Sequence, residues 1–328
     1  MSTPVSRRTF LSVAAAGSLA ALGRGVATAS TSLGVDYAYY NPPSLILKEY
    51  GWLDSALAKH DVSVNWVLSL GSNKANQFLT SNSVSFGSTA GSAALLARAN
   101  GSPIKTVFLY SQPEWTAVVV AKNSKIQKVS ELRGRKIAAT RGTDPWFFLL
   151  RSLHDAGLGP KDVEIVDLQH PDGRLALERG EVDAWAGLDP HMAASQLQAG
   201  SRLIYRNINY NTYGALNARE DFLQHSPDLV STVLAQYDRA RHFALANQDK
   251  TAQIVAKASN VPLDVATLML RERTRYPDPV PGAAYTRAIE GCTPIIEEDK
   301  MVAAGTDLKG AVSALVDPSA ARLALRHA

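Results

Sequence analysis

"GEVDAWAGLDPHMAA", residues 180 to 194, joins an acidic turn to a short apolar run ending in Trp185, then breaks at Leu188-Asp189-Pro190. Asp189 stands where a helix N-cap stands, and Pro190 takes the first helical position, where a missing N–H costs nothing. The stretch therefore reads as strand, turn and helix, with Trp185 at the lip of the turn. The same order recurs in "VSFGSTAGSAALLARANG", residues 84 to 101, at Tyr40-Asn41-Pro42-Pro43, and at Thr140-Arg141-Gly142-Thr143-Asp144-Pro145. Alternating strand and helix signals specify an α/β fold, and in open parallel sheets the turns after the strands line the crevice where ligands sit.

Working outward, Leu33 to Tyr37 reads as a strand, Pro42 to about Ala58 as a helix, Val62 to Leu68 as a strand and Ser72 to Thr80 as a helix. Ser83 to Gly87 is a strand, about Thr89 to Ala99 a helix, and Ile104 to Tyr110 and Trp115 to Ala121 are β-rich. From Ser130 the pattern restarts, with strands at Lys136 to Ala139, Val163 to Leu168 and Val182 to Ala186. Its helices are Asp144 to Ala156, Gly173 to Arg179 and Asp189 to Gln198. After Thr212-Tyr213-Gly214-Ala215-Leu216 the tail is helical in period, with Pro277, Pro279 and Pro281 marking a loop. The chain reads as one α/β unit, a second, and a return to the first.

Residues 1 to 29 read as an export signal of the twin-arginine type. Arg7-Arg8 precedes an uncharged, Ala-rich run from Phe10 to Gly23, and Ala27-Thr28-Ala29 is a small-x-small cleavage site, placing the cut after Ala29. Three of the 34 basic residues leave with the signal, so 31 face 30 acidic ones, and this near-neutral balance gives no footprint for nucleic acid. Cys292 is the single cysteine, which excludes an internal disulfide, a cysteine zinc cluster and a lipid-anchoring cysteine after the signal. Export without an anchor or disulfide fits the periplasm.

Helix N-termini carry unpaired N–H groups and partial positive charge, so four strand-to-helix turns around one crevice favour an anionic or strongly accepting ligand. Each helix end contributes about 0.3–1 kcal/mol, against about 8 kcal/mol for micromolar affinity. Arg141, able to give two charge-assisted bonds of about 1.5–3 kcal/mol each, is the expected anion partner.

The chain resembles a known family at Gly87-Ser88-Thr89, at Lys122 to Ile126 with Ser130 to Lys136, at Arg141-Gly142-Thr143, and at Gly180 to Trp185 with Asp189-Pro190. These segments are similar to the solute-binding proteins of ABC importers for alkanesulfonates, taurine and nitrate. The resemblance implies a type II periplasmic binding fold: two α/β lobes, two hinge crossovers near Thr116 to Asn123 and Asn209 to Asn217, and a helical C-terminal tail. Lobe 1 would comprise residues 30–120 plus 213–328, and lobe 2 residues 121–212. It also implies a monomer that takes a small-molecule ligand to an inner-membrane permease with a cytoplasmic ATPase, needing no cofactor.

Binding roles carry over onto Asn41, Ser88, Thr89, Arg141, Gly142, Thr143, Trp185 and Asp189, with Trp185 as a cleft wall. The first loop, Tyr39-Tyr40-Asn41-Pro42-Pro43, and Thr143-Asp144-Pro145-Trp146 are bulkier than the family pattern. Tyr39, Tyr40, Trp115 and Tyr213 therefore join the candidate walls, and a longer-chain or aromatic sulfonate is the expected ligand. Asp144 would oppose an anion if it pointed inward. The plainer reading makes Trp185 core, Asp144 and Asp189 N-caps, and Arg141 a surface partner of Asp144.

No catalytic constellation is legible. Gly87-Ser88-Thr89-Ala90-Gly91 misses the nucleophile-elbow register by one residue, Ser102-Pro103-Ile104-Lys105 lacks companion motifs, and the seven histidines are scattered without metal-ligand spacing. Three rivals share the fold: a yeast-type thiamine pyrimidine synthase, opposed by the lone Cys292 and the signal; a binder of neutral pyrimidine precursors; and a sensory binding protein.

Overall fold

The strands of this computed structural model, which describes residues 31–326, form two separate sheets. The export signal, its arginine pair and the cleavage site lie outside the described residues. The strands are β1 (Thr31–Tyr37), β2 (Val62–Leu68), β3 (Phe86–Ala90), β4 (Ile104–Pro113), β5 (Val118–Val120), β6 (Lys136–Ala139), β7 (Glu164–Asp167), β8 (Ala184–Ala186), β9 (Arg202–Tyr205), β10 (Gly214–Arg219) and β11 (Thr274–Arg275). The first sheet runs β11-β4-β10-β3-β1-β2 and the second β7-β6-β8-β5-β9.

In each sheet the strands followed by helices lie parallel, whereas the strand entered from the other sheet runs antiparallel. β1 pairs parallel with β2 and β3, while β10 opposes both β3 and β4; β6 pairs parallel with β7 and β8, while β5 opposes both β8 and β9. The chain crosses twice, between Pro113 and Val118 and between Tyr205 and Gly214. Val118–Val120 thus belongs to the second sheet, although the sequence reading keeps residues up to 120 with the first. This is the expected mixed α/β architecture with a helical C-terminal region.

Apolar side chains that alternate along the strands close the core. Leu33, Val35, Phe86, Phe108 and Leu216 pack against Val233, Leu234 and Tyr237 of helix Pro227–Ala246. A second cluster runs from Leu95, Ile104 and Leu109 of the first half to Val118, Ile137, Phe147 and Phe148 of the second. Each such side chain contributes about 1.5–3 kcal/mol on burial.

Two elements differ from the sequence reading for local reasons. The expected helix from Pro42 to Ala58 is two, Pro42–Tyr50 and Trp52–Ala58, because Gly51 adopts a left-handed conformation (φ 62°) and stops the first. Ser88, expected in the turn after a strand ending at Gly87, and Thr89, expected to open the next helix, lie inside β3 opposite Leu216 and Ala215. Small polar residues read as a turn, but the long-range pairing with β10 carries the strand on to Ala90.

Candidate functional site

Six strands, three mutually aligned in each sheet, end at helix starts on the C-terminal edges of the two sheets. β1 leads to Asn41, β2 to Gly71, β3 to Gly91, β6 to Gly142, β7 to Gln169 and β8 to Asp189. Contacts between the two halves form at these starts, because the C-terminal edges of two parallel sheets face one another there.

The first-half floor is a chain of buried hydrogen bonds. Asn41 caps its helix by accepting from the Ser44 N–H (3.2 Å), and its amide donates to Ser88 Oγ (2.7 Å). Ser88 in turn donates from both N (2.8 Å) and Oγ (2.7 Å) to Asp36 Oδ1. Burial pushes the Asp36 carboxyl up to about 6, with the Ser88 bonds pulling the other way. The Tyr40 hydroxyl donates to the Ser88 carbonyl, and Thr89 accepts from Asn217 at 2.7 Å. The side-chain groups of Asn41, Ser88 and Thr89 are thus engaged within the half that carries them.

Asp144 joins segments of both halves. Its Oδ1 accepts from Ser92 Oγ (2.6 Å) and Thr212 Oγ1 (2.6 Å), and its Oδ2 from the Trp115 indole (2.8 Å) and the Thr212 N–H (2.8 Å). It points inward, as the sequence reading feared for an anion, and burial raises its pKa against these four neutral donors. Trp115 meets Tyr40 edge-on at 5.8 Å, and Leu188 packs into the same cluster. A narrow cavity of about 10 Å3, room for about one water, lies beside them, lined by Tyr40, Trp115, Ser111, Met269, Arg273 and Asp189 among others.

Asp189 has partners the sequence did not suggest. Helix His191–Ala199 starts two residues later than expected, with Pro190 as its cap, and Asp189 Oδ1 accepts from the Ala193 N–H (2.9 Å). Arg273 then closes on both carboxylate oxygens and donates to Gln196.

Two candidates are corrected. Trp185 is fully buried in the core beneath the second sheet, with Val119, Ala138, Leu177 and Met192, and is not a cleft wall. Gly173 makes room for it: a Cβ there would lie 2.7 Å from its indole nitrogen. The Arg141 side chain is 59% exposed, with the guanidinium 4.9 Å from the Trp146 ring centroid and 3.8 Å from Asp299 of the other half. Its ion-pair partner is Asp299, not Asp144.

The remaining candidates take supporting places. Gly142 is left-handed (φ 74°) and brings the chain beside Asn73; Thr143 is buried and donates to the Thr140 carbonyl (2.6 Å). Tyr39 is half-buried in the first loop, and Tyr213, also half-buried, packs edge-on against Tyr285 at 5.8 Å.

Sequence reasoning missed Gly71, Asn73, His170 and Arg273. A Cβ on Gly71 would lie 2.8 Å from Asn73 Oδ1 and 3.1 Å from His170 Nε2, so the start of helix Ser72–Thr80 meets the start of helix His170–Glu178 there. Pro171 signals that second helix start, three residues ahead of the Gly173 expected. Nothing local announces Arg273, which reaches Asp189 from 84 residues away.

The family model described as NMT1/THI5 like matches residues 51–251. A protein of Escherichia coli (strain K12) named for aliphatic sulfonate binding is 27% identical over 270 residues, 81% of this chain and 84% of that protein. The structure of the alkanesulfonate-binding protein SsuA from Xanthomonas axonopodis pv. citri bound to MOPS superposes with a TM-score of 0.78 at 21% identity, covering 86% of this chain and 97% of that one. The desulfurization enzyme DSZB superposes at 0.65 with 16% identity, over 91% of this chain and 100% of that one. At these identities the two superpositions show the shared fold.

Proposed function

The chain belongs to the NMT1/THI5-like family, and from that premise we propose that it is the substrate-binding component of an ABC importer. It captures a small organic sulfonate between its two halves and passes it to an inner-membrane permease driven by a cytoplasmic ATPase. The observation that carries this reading is the meeting of helix N-termini from opposite sheets, with Gly71 and Asn73 against His170 and Gly142. The helix starts that their own side chains do not already occupy contribute about 0.3–1 kcal/mol each, more when buried, to holding an anion.

The halves, residues 31–113 with 214–326 against residues 118–205, hinge at 114–117 and 206–213, and ligand shifts an open-to-closed equilibrium. The protein acts in the periplasm as a monomer, exported by the twin-arginine route and cut after Ala29. It works without catalysis, although the fold also carries an enzyme. Its single thiol, on Cys292, is fully buried, donates to the Ala288 carbonyl and is pushed by burial up to about 12, far from a nucleophile's range.

A second reading, a neutral aromatic ligand, is favoured by one observation: Arg273 is engaged by Asp189 and Arg141 by Asp299, while the aromatic side chains of Tyr40 and Trp115 line the small cavity beside Asp189. Calorimetry of the chain from Ser30 onward against alkyl and aryl sulfonates, nitrate, sulfate and aminopyrimidines separates the two. Tight binding of a sulfonate supports the importer reading, and binding of aminopyrimidines alone replaces it with the second.

A further inference from the structure

His170 is fully buried at the meeting of the two halves, and its Nε2 has no partner. The hydrogen bonds decide what that nitrogen can do. Thr140 Oγ1 donates its one hydrogen to the Leu168 carbonyl (2.7 Å), so in its 3.0 Å contact with His170 Nδ1 it can only accept. Nδ1 therefore carries the proton, and Nε2 is a bare acceptor. Burial, then the neighbouring His191, hold the imidazole down at about 3, so it stays neutral in any physiological medium.

The surroundings share this polarity. Nε2 and Asn73 Oδ1 both lie within about 3 Å of the point where a Gly71 Cβ would sit, at 3.1 and 2.8 Å. One helical turn on, Asn76 gives its amide hydrogen to the Ala93 carbonyl (3.0 Å), which fixes its Oδ1 as a second buried acceptor without a partner. Gly71 has an extended backbone (φ 174°) that any residue adopts, so glycine stands there because a Cβ would crowd Asn73 Oδ1 and His170 Nε2. Leaving a buried acceptor unpaired costs about 1–3 kcal/mol, a penalty that a donor brought by the ligand removes.

We propose that His170 is a specificity-determining residue that accepts a hydrogen bond from the ligand through Nε2, so that the preferred solute is a sulfonate carrying an N–H or O–H donor rather than a plain alkanesulfonate. This rests on the sulfonate reading above. The anionic end faces helix N–H groups, and the donor end faces His170 and the acceptors of helix Ser72–Thr80.

Calorimetry compares ethane- and propanesulfonate with their terminal hydroxyl and amino analogues on the wild-type protein, His170→Leu and His170→Gln. The donor-bearing analogues are expected to bind about tenfold tighter than their parents on the wild type, the worth of one hydrogen bond to a buried acceptor. That ratio falls to about one in His170→Leu and partly returns in His170→Gln, whose side-chain oxygen accepts. Equal binding of parents and analogues on the wild type, or a ratio that survives in His170→Leu, overturns the role of His170 and leaves the importer reading standing. Binding of no sulfonate overturns both. Should the leucine variant fail to fold, the imidazole 15N spectrum decides: the Nε2 resonance must shift on adding an amino analogue and stay in place with the parent.

Discussion

Arg273 Nη1 lies 3.0 Å from Asp189 Oδ1 and 3.1 Å from Oδ2, with both side chains buried, and so ties helix Leu263–Arg273 to the start of helix His191–Ala199. Removing one partner of a buried pair strands the other's charge, which costs about 3–5 kcal/mol. Arg273→Met should lose that much in urea denaturation. Asp189→Asn combined with Arg273→Met should recover most of it, and a double variant no better than the single would show that the pair is not the source.

Asp144→Ala removes one acceptor group from four donors at once, two of them on Thr212. With each stranded donor costing about 1–3 kcal/mol and water entering to satisfy some, a loss of about 3–5 kcal/mol is expected. Denaturant melts measure it, and a loss below 1 kcal/mol would mean that the donors find other partners.

Asp36 carries a signed pH prediction. The unfolded carboxyl ionises near 3.8, whereas the folded one holds its proton up to about 6. Its stabilising contribution is therefore full below 3.8 and is lost as pH rises through 6, at most about 3 kcal/mol in all. Asp36→Asn keeps an oxygen for Ser88 and should be more stable than wild type at pH 8 and equal to it near pH 4. An identical difference at both pH values would exclude the titration of Asp36 as the cause.

Arg141→Ala should change ligand affinity by no more than about fivefold, since the exposed ion pair to Asp299 and the cation–π contact to Trp146 each contribute about 1 kcal/mol or less. Isothermal titration with whichever sulfonate binds tests this. A tenfold loss would restore Arg141 to the site.

Trp185→Ala should cost about 3–5 kcal/mol in stability and leave the affinity of the folded fraction unchanged, as for a core side chain. Weaker binding at temperatures well below the melt would return Trp185 to the cleft.

Much of this was legible in the chain. The alternation around Lys136–Ala139, Asp144–Asp155 and Ala184–Ala186 marks strands and helices because the apolar period changes from two to 3.6 residues, and proline near helix starts marks their ends. The turn positions Tyr40, Asn41, Thr143, Asp144 and Asp189 followed from the same local grammar and do gather on one edge. Arg141 and Trp185 did not follow, since a residue's neighbourhood in sequence says which element it sits on and not which face that element presents.

The sequence by itself determined the α/β order, the strand-to-helix turns and the family, because these depend on period, capping and short motifs that act within a few residues. Only the tertiary structure decided which polar groups answer one another. Asp144 with Thr212 and Asp189 with Arg273 are pairs 68 and 84 residues apart. The physical reason is that a buried polar group is satisfied by whatever the folded chain brings within about 3 Å, a distance that no local pattern encodes.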